Sequence, residues 1–332
     1  MPIPSISGST TTKTNLADAK VRNRGFDAQI DARICEGKFN WTIGANISIN
    51  RNKVLSLGAA GDEILTTTER STQSHITRVG YPIGSFIAFR TKGIMNQSQY
   101  EAILLDREVY LANGGSFPAD YKLKGPAVPS YDLEMLLPGC VIYNDLNGDK
   151  IIDNYDREIL GDAYPDFTGG FSTSMSWKGF DLSAVFSFSY GAQVVNFNDY
   201  YIYNMEGSSN QYGIVRERYR SEEEPGNGFV PLAFAHGSKN TSMKMSDRYI
   251  DDASYLRLSN LTVGYTLPKS LTSKIKISSA RVYLSGDNVF TLTNYRGFNP
   301  EVNEKSSALA PGFDWGSYPL ARILTFGLSI TF

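Results

Sequence analysis

Five oxygen-bearing side chains recur at metal-ligand spacing in the stretch Asp145–Asp156, which reads DLNGDKIIDNYD. They occupy its first, third, fifth, ninth and twelfth positions. In a calcium loop of the EF-hand kind these positions supply ligands, together with a backbone carbonyl at the seventh position. The predicted ligand set is therefore Asp145, Asn147, Asp149, the carbonyl of Ile151, Asp153 and Asp156.

Two positions of this loop depart from the calcium pattern. Lys150 stands at the sixth position, where glycine normally makes the sharp turn, and Asp156 ends the loop where a longer Glu is usual. The lysine adds backbone strain and a cation beside the carboxylates. Two interpretations remain open, a structural calcium site and a metal-free polar turn. A regulatory switch is disfavoured, because the flanks read as extended chain without the two helices that a sensor moves.

Catalytic chemistry has little support in the sequence. The two histidines, His75 and His236, fall in polar stretches that we predict to be loops, and neither belongs to a zinc spacing. The neighbouring carboxylates of Asp251-Asp252 and Glu222–Glu224 suit a glycosidase pair less well than they suit solvated loop charge. No GxSxG or phosphate-binding GxxxxGK sequence occurs. We therefore predict that the protein is not an enzyme.

Composition and charge limit the partners. The 332 residues include 32 basic and 34 acidic side chains spread along the chain, and this balance disfavours nucleic acid. Cys35 and Cys140 lack metal-ligand spacing, so we predict unpaired, packed thiols, with an oxidised pair as the alternative. Residues 1–20 lack the features of a secretory signal and are predicted to be a leading loop. No run reaches the roughly 18 apolar residues of a membrane-spanning helix.

Alternation of apolar and polar residues dominates the chain and predicts an all-β fold. The stretches 26–34 and 41–50 alternate across a short turn and predict a β-hairpin. The stretches 167–177 and 180–190 predict a second hairpin with a tight turn. Further strands are predicted within 78–91, 261–267, 281–290 and 321–332. The total is about eight strands, many of them near the roughly 9 to 11 residues that cross a bilayer at a tilt.

Long connections separate these strands. Residues 92–166, 191–254 and 291–319 are polar, carry Gly and Pro, and greatly exceed the usual hairpin loop of about 2 to 5 residues. Short turns at one end and long loops at the other are typical of outer-membrane β-barrels. A soluble β-sandwich with one wet face gives the same alternation and is the alternative. Aromatic residues near strand ends, and Phe332 on the apolar face of the last strand, favour the barrel.

These stretches together resemble the C-terminal part of a SusC/RagA-type TonB-dependent outer-membrane transporter. The resemblance runs from about Val21 to Phe332, and the order and spacing of its segments make it specific. The segments are VRNRGFDAQI, WTIGANISINRNKVLSL, VGYPIGSFIAFRTKGI, PGCVIYNDLNGDKIIDNYDREILGDAYPDFTGGFSTSMSWKGFDLSAVFSFSYG, SYLRLSNLTVGYTLP, ARVYLSGDNVFTLTNYRGFNPEV and YPLARILTFGLSITF. In such transporters the metal-like loop reads more like DxNGDGxID, and a terminal aromatic such as Phe332 is recognised by the outer-membrane assembly machinery.

The resemblance implies an antiparallel transmembrane β-barrel of about 22 strands with a plug domain. It also implies import of oligosaccharides or peptides, a SusD-like surface lipoprotein as partner, and energy supplied by the TonB complex. Residues 21–332 would supply about eight strands of that barrel, while the plug and the TonB-contacting part lie outside this chain. We therefore expect that these residues alone do not form a transporting pore.

The resemblance also implies a direction for each strand. Because the C-terminus is periplasmic in that family, the connections 92–166, 191–254 and 291–319 are expected on the cell surface. Counting back over eight strands places the connection 53–77 on the periplasmic side. Two other functions remain as alternatives, a soluble β-sandwich that binds a ligand and a small closed barrel with a structural role.

Aromatic side chains in the surface connections are candidates for contact with a ligand or a partner. A tyrosine ring combines an apolar body with a polar tip, which suits stacking on sugars and wet protein interfaces. The alternative is that these rings only pack the loops together. The candidates are Tyr200, Tyr201, Tyr203, Tyr212, Trp315 and Tyr318.

Overall fold

The computed structural model describes residues 17–69, 72–131, 136–203, 205, 210–234, 241–305 and 307–332. The strands, in chain order, are β1 (Ala19–Cys35), β2 (Phe39–Leu57), β3 (Glu63–Thr67), β4 (Gln73–Arg78), β5 (Ser85–Phe89), β6 (Thr91–Ile94), β7 (Val141–Tyr143), β8 (Arg157–Gly161), β9 (Phe167–Trp177), β10 (Phe180–Tyr190), β11 (Gln193–Asn196), β12 (Ile250–Asp252), β13 (Tyr255–Thr266), β14 (Ser279–Thr293), β15 (Phe313–Asp314) and β16 (Ile323–Thr331). The helices are α1 (Gln97–Ala112), α2 (Asp199–Ile202) and α3 (Lys269–Thr272). The fold is therefore mostly antiparallel β, as the prediction of an all-β fold expected, but helix α1 lies in a stretch that was predicted as a loop.

None of the described helices has the length and apolar character that crossing a membrane requires.

One large antiparallel sheet organises the chain. Its order is β1-β2-β9-β10-β13-β14-β16, so strands that follow one another along the chain and belong to this sheet are also neighbours in it. Both predicted hairpins are confirmed, and the second one has the predicted bounds. In the described residues this sheet contains seven strands rather than about eight. The difference arises because the strand predicted within 78–91 is β5, which pairs with β4 and β8 in a separate sheet.

The two faces of the large sheet differ sharply in polarity. On one face, a row of residues paired across successive strands is apolar: Ile30, Ala45, Phe171, Phe186, Leu258 and Phe290. On the other face, a row consists of hydroxyl-bearing residues: Thr42, Ser174, Ser183, Thr262, Ser285 and Thr325. Successive side chains of a strand point to opposite faces, so in-register pairing extends each strand's alternation across the whole sheet.

The apolar face is uncovered. Leu324 and Phe326 of the last strand are 79% and 76% exposed, and Phe26 and Ile30 of the first are 62% and 65% exposed. A β-sandwich would cover such a face with a second sheet, about 10 Å away. No described element does so, which argues against the sandwich alternative.

All long connections leave the same end of the large sheet. The strand β2 pairs directly with β9, so residues 58–166 form one connection between adjacent antiparallel strands. This connection lies at the same end as residues 191–254 and 294–322, while the turns 36–38 and 178–179 lie at the other end. The placement of 53–77 at the short-turn end was wrong, because the count included a strand that is not in the large sheet. We call residues 58–166, 191–254 and 294–322 the connection layer.

The connection layer has its own hydrophobic cores, although its sequence was predicted as loops. One core gathers Phe86, Val195, Phe197, Met245 and Phe313 from distant parts of the chain. A second surrounds helix α1 with Met95, Ile103, Tyr131, Cys140 and Ile142. The strands of this layer are only two to six residues long, and most of them, apart from the consecutive strands β3 and β4, pair with at least one partner far away in sequence. Such short strands carry too little periodicity to be recognised before the fold brings their partners together.

Hydrogen bonds anchor helix α1 at its start and its middle. The Asn96 side chain accepts from the Gln99 amide at 2.8 Å, and the Gln99 side chain accepts from the Asn96 amide at 3.0 Å, which completes a capping box. The buried carboxylate of Asp106 accepts from the Tyr121 hydroxyl and from the Lys124 and Gly125 amides. These contacts hold the segment after the helix against it.

No disulfide joins the two cysteines, as predicted. Cys140 is fully buried in the core around α1, whereas Cys35 is exposed at the end of β1. The packed-thiol prediction therefore holds for Cys140 and is wrong for Cys35, which is exposed next to the hairpin turn 36–38.

The turn between β9 and β10 tests the role of backbone geometry in this sheet. Lys178 and Gly179 both have positive φ, at 49° and 88°, as a two-residue hairpin turn requires. A Cβ at position 179 would lie 2.7 Å from the Thr266 carbonyl oxygen. We predict that Gly179→Ala lowers the free energy of unfolding by about 1 kcal/mol or more, measured by denaturant titration in detergent. Gly213→Ala is the matched control, since Gly213 has open space and no positive φ. An equal effect of both changes would contradict this account.

Candidate functional site

The candidate site residues lie in the connection layer, with the exception of Phe332. Three features of this layer have the chemistry of a functional site: the acidic loop Asp145–Asp156, an aromatic cluster, and a buried group of ion pairs.

The acidic loop is closed by its own carboxylates. Asp145 accepts from the Gly148 and Lys150 amides at 2.7 and 2.9 Å. Asp156 is buried and accepts from the Leu146 and Asp153 amides, both at 2.8 Å. The predicted ligands Asn147, Asp149 and Asp153 likewise accept from amides two residues ahead of them. Asx turns of this kind make a compact loop without external help.

Lys150 has the backbone conformation that the sequence pattern assigns to glycine. Its φ is 77°, in the left-handed region that costs energy for a side chain with a Cβ. Its ammonium does not turn back into the loop, because it contacts the Pro118 carbonyl at 3.4 Å and lies 5.9 Å from the Phe117 ring centre. The cation expected beside the carboxylates is therefore directed away from them. The Tyr131 hydroxyl donates to the Lys150 carbonyl at 3.2 Å and ties the loop to the core around α1.

The acidic loop is still compatible with both interpretations, a structural calcium site and a metal-free polar turn. Among the described residues, no group of three or more His, Cys, Asp or Glu side chains is arranged to hold a metal ion. Each carboxylate oxygen that accepts one amide retains a second lone pair, so the amide contacts do not by themselves prevent ligation. Calcium ligation by Asp145–Asp156 remains a prediction.

Three of the six candidate aromatic residues come together around one buried ring. Phe197 stacks on Tyr200 with ring centres 4.6 Å apart and on Trp315 at 5.2 Å. Tyr201 meets Trp315 edge-on at 5.1 Å. Trp315 remains exposed, so the cluster presents an aromatic edge at the surface while its centre belongs to the core. Packing of the layer is therefore one role of these rings, and contact with a ligand remains a prediction.

The other three aromatic candidates lie apart from this cluster. Tyr203 is buried under the guanidinium groups of Arg248 and Arg296, whose central carbons lie 5.4 and 5.7 Å from its ring centre. Tyr212 and Tyr318 are exposed, and no ring contact among the described residues includes them. Phe332 is 87% exposed at the end of the chain, close to the short-turn end of the sheet.

A buried group of ion pairs lies next to the aromatic cluster and was not predicted. Arg296 donates to Asp251 with Nε at 3.0 Å and Nη2 at 2.5 Å, and Nη2 is also 2.9 Å from Asp199 Oδ2. The carboxylate of Asp199 is 1% exposed, and neither of its oxygens has a hydrogen bond of good geometry. Asp251 was interpreted as solvated loop charge, which is wrong because the fold buries it against Arg296. Glu222–Glu224 are exposed and keep that interpretation.

Burial raises the pKa of Asp199 to about 6, against the opposing attraction of Arg296. The like charges of Asp251 and Asp314 act in the same direction as burial and contribute to this value of the pKa. The folded state thus holds a proton that the unfolded chain releases near pH 4. This carboxylate therefore contributes most to stability below pH 4, and its contribution is lost as the pH rises through about 6.

His75 occupies a buried strand rather than the polar loop predicted for it. In β4 it donates from Nε2 to the Pro311 carbonyl at 2.9 Å, so Nδ1 accepts from the Ser74 hydroxyl at 2.8 Å. Burial lowers the pKa of His75 to about 4 and keeps the ring neutral. His75 thus joins the four-stranded sheet β3-β4-β5-β8 to the connection 294–322, which contains β15. His236 lies outside the described residues.

A cleft of about 260 Å³ opens between the large sheet and the connection layer. Tyr255, Glu301, Ser189 and Gln193 are among the polar residues that line it. The Tyr255 hydroxyl and the buried guanidinium of Arg257 both donate to the Glu301 carboxylate, so that one wall carries a hydrogen-bonded ion pair. No motif predicted this cleft. Its only sequence signal is that Tyr255 and Arg257 fall on the polar face of β13.

Over all or nearly all of its length, this chain is similar to proteins that are named TonB-dependent receptors. The TonB-dependent receptor P3 of Formosa agariphila is 32% identical over 100% of this chain and 30% of its own length. The TonB-dependent receptor SusC of Bacteroides thetaiotaomicron is 26% identical over 94% of this chain and 26% of its own length. No family model matches the chain.

A solved structure supports the same fold. The structure of the RagAB peptide transporter matches with a TM-score of 0.72 and 23% identity, covering 100% of this chain and 31% of the matched chain. The chain thus spans about a third of the length of the relatives it matches. Those relatives are receptors and transporters rather than enzymes, which agrees with the prediction of a non-enzymatic protein.

The pKa of Asp199 leads to a pH-dependent prediction. Replacing Asp199 with Asn removes the buried charge, so the melting temperature should rise at pH 7.5, where the wild-type carboxylate is ionised. At pH 5 the wild-type carboxylate is protonated, and the difference between variant and wild type should shrink. Thermal unfolding in detergent at both pH values measures this. Asp120→Asn is the control, because Asp120 is exposed. A difference that is the same at both pH values would contradict the assignment.

The backbone of Lys150 allows the two interpretations of the acidic loop to be separated. If the loop binds calcium, Lys150→Gly relieves the left-handed strain and removes the charge, and should raise the calcium affinity measured by calorimetry. Lys150→Gln is the matched variant, since it removes the charge but keeps the strain. Asp145→Asn combined with Asp149→Asn should abolish the binding heat. Absence of any binding heat in the wild type and in Lys150→Gly would favour the metal-free polar turn.

Proposed function

Since the chain belongs to the SusC/RagA type of TonB-dependent receptors, matching about a third of their length, we propose that it forms part of the barrel wall of an outer-membrane importer. In this proposal the seven strands of the large sheet cross the membrane. The connection layer lies on the cell surface, and the turns at 36–38 and 178–179 face the periplasm.

The observation that carries this proposal is the two-faced large sheet. In a soluble protein, the side chains of Phe26, Ile30, Leu324 and Phe326 would be exposed to water. This exposure would reduce the stability of the fold by roughly 1.5–3 kcal/mol for each large apolar side chain. Lipid tails remove that cost. The opposite face, lined by hydroxyl groups, suits a water-filled lumen, since its side chains can hydrogen-bond with water.

Polar pairs on the lumen face support the same orientation. Arg281 of β14 donates to both carboxylate oxygens of Asp181 in β10, at 3.0 and 2.5 Å, and so reaches across the intervening strand β13. Asn260 donates to Asp287 at 2.6 Å. Charged pairs of this kind are expensive in contact with lipid, so their face is the one turned away from it.

The alternatives fit less well. A soluble sandwich leaves the exposed apolar face unexplained. A small closed barrel requires the first and last strands to pair, whereas β1 and β16 stand at opposite edges of the sheet. In a longer receptor both edges would be paired with further strands, which removes their unsatisfied backbone groups from the lipid.

For the whole receptor we propose oligosaccharides or peptides as substrates and a SusD-like lipoprotein as partner. The partner would dock on the connection layer, where Trp315 and Tyr318 are exposed, and energy would come from the TonB complex through parts outside this chain. Phe332 would serve as the signal for the outer-membrane assembly machinery. The cleft next to Glu301 and Arg257 lies on the lumen face, and we propose that its polar lining contacts a polar substrate.

Cysteine labelling tests the orientation. In a Cys35→Ser background, Asp120→Cys should react with a membrane-impermeant maleimide on intact cells. Lys38→Cys should react only after the outer membrane is permeabilised. Both positions are exposed, so accessibility within the fold does not bias the comparison. Recovery of the protein in the soluble fraction, or equal labelling on intact cells, would refute the proposed membrane topology.

A further inference from the structure

Four cations meet on the apolar side of the first hairpin. The strands β1 and β2 pair Arg22 with Lys53 and Arg24 with Arg51. The next pair on the same face, two residues further along each strand, is Phe26 with Ile49. Strand alternation therefore directs all four cations to the face that carries the apolar surface, at the end where the connection layer begins.

Little negative charge compensates this basic patch, which we define as Arg22, Arg24, Arg51 and Lys53. Arg51 pairs with Asp166 at 2.8 Å, in an exposed contact. Arg22, Arg24 and Lys53 have no ion pair within the described part of the chain. Four positive charges and one negative charge leave a local excess of three. Cations that repel one another across paired strands destabilise a sheet unless an anion lies between them.

An apolar groove lies on the same face and at the same end. It encloses about 590 Å³ and is lined by Phe167, Phe188, Tyr190, Leu256 and Leu292. Its rim carries the polar groups of Ser254, Thr293 and Asn294. The strand β9, which begins at Phe167, is the neighbour of β2. A molecule seated on the basic patch can therefore extend over the apolar side chains Phe26 and Ile49 below it and toward the groove beside it.

We propose that the basic patch and the apolar surface next to it form a binding site for a phosphorylated lipid of the cell-surface leaflet. Arg22, Arg24 and Lys53 would bind the phosphate, while acyl chains lie along Phe26 and Ile49. This inference rests on the proposed function, since it requires the apolar face to contact the membrane. Guanidinium groups bind phosphate through paired, charge-assisted hydrogen bonds, which makes arginine well suited to this role.

The combination of charge and apolar surface identifies the lipid as the occupant. A free phosphate would use the cations but not the adjoining Phe26 and Ile49. A membrane lipid uses both, because its phosphate stands at the height where its acyl chains begin. The position of the patch matches that height: the cations follow the apolar rows at the end of the strands nearest the cell surface in the proposed orientation.

The test compares lipid retention by two matched triple variants. Arg22→Gln, Arg24→Gln and Lys53→Gln together remove the patch. Lys38→Gln, Lys269→Gln and Lys274→Gln together remove the same charge from exposed positions at the short-turn end. The full-length receptor that contains this chain is purified in mild detergent, stripped of lipid, and titrated with dimyristoyl phosphatidic acid under native mass spectrometry.

The first variant should require a roughly 100-fold higher lipid concentration, since each cation near a membrane surface contributes about a fivefold change. The control variant should bind like the wild type. Dimyristoyl glycerol, which lacks the phosphate, should show no difference between the proteins, and inorganic phosphate should not compete at millimolar concentration.

Equal lipid binding by the wild type and the patch variant would overturn the inference. Competition by inorganic phosphate alone would also overturn it, by revealing a simple anion site. Neither result would affect the proposed function, which is judged by the cysteine labelling of positions 120 and 38. A misfolded patch variant is recognised by loss of that labelling pattern, and the single change Arg24→Gln then supplies the test with an expected fivefold effect.

Discussion

The register of the large sheet is the constraint on which the rest of the structure depends. Each strand alternates with a period of two residues, so a slip of one residue would move its apolar side chains to the polar face. Pairs such as Phe171 with Phe186, and Ser174 with Ser183, hold this register on both faces at once. The sheet tolerates local irregularities between Val185 and Phe186 and near Ser259, because neighbouring strands accommodate the same shift. Continuity of the two faces is therefore a collective property of seven strands.

The connection layer satisfies its backbone hydrogen-bonding groups in a different way from the large sheet. The backbone N–H and C=O groups of its segments form hydrogen bonds in short strands, in turns and in a capped helix, instead of in the long inter-strand ladders of the large sheet. The cores around Phe197 and Ile103 supply the apolar contacts that order these segments. Asp199 shows the cost of this arrangement, since the layer buries a carboxylate with poor hydrogen bonding beside Arg296. Buried charges of this kind are weak sources of stability, and they are sensitive to changes in their surroundings.

Packing within the connection layer limits how far the candidate site residues can contact a ligand. The ring of Tyr203 is enclosed by two guanidinium groups, and Tyr200 packs on Phe197, so their reach toward a ligand is restricted. Tyr212, Trp315 and Tyr318 keep exposed surface, and their contact with a ligand or a partner remains a prediction. In the acidic loop, the carboxylates already order the backbone, which means that a bound cation would add to a preformed turn. Lys150 adopts a strained backbone in that turn while its ammonium lies elsewhere.

The sequence by itself determined the large sheet and the chemical character of its two faces. The hairpin at 167–190 was predicted with its observed bounds, because long alternating strands and a Lys178-Gly179 turn are local signals. Resemblance to known transporters added an expected direction across the membrane for each strand. One wrong strand in that count was enough to place the connection 53–77 at the wrong end of the sheet. Only the tertiary structure decided that His75 is buried, that Asp251 pairs with Arg296, and that Phe86, Phe197 and Phe313 share a core. These contacts join residues far apart in the chain, and no local periodicity records which distant partners will meet.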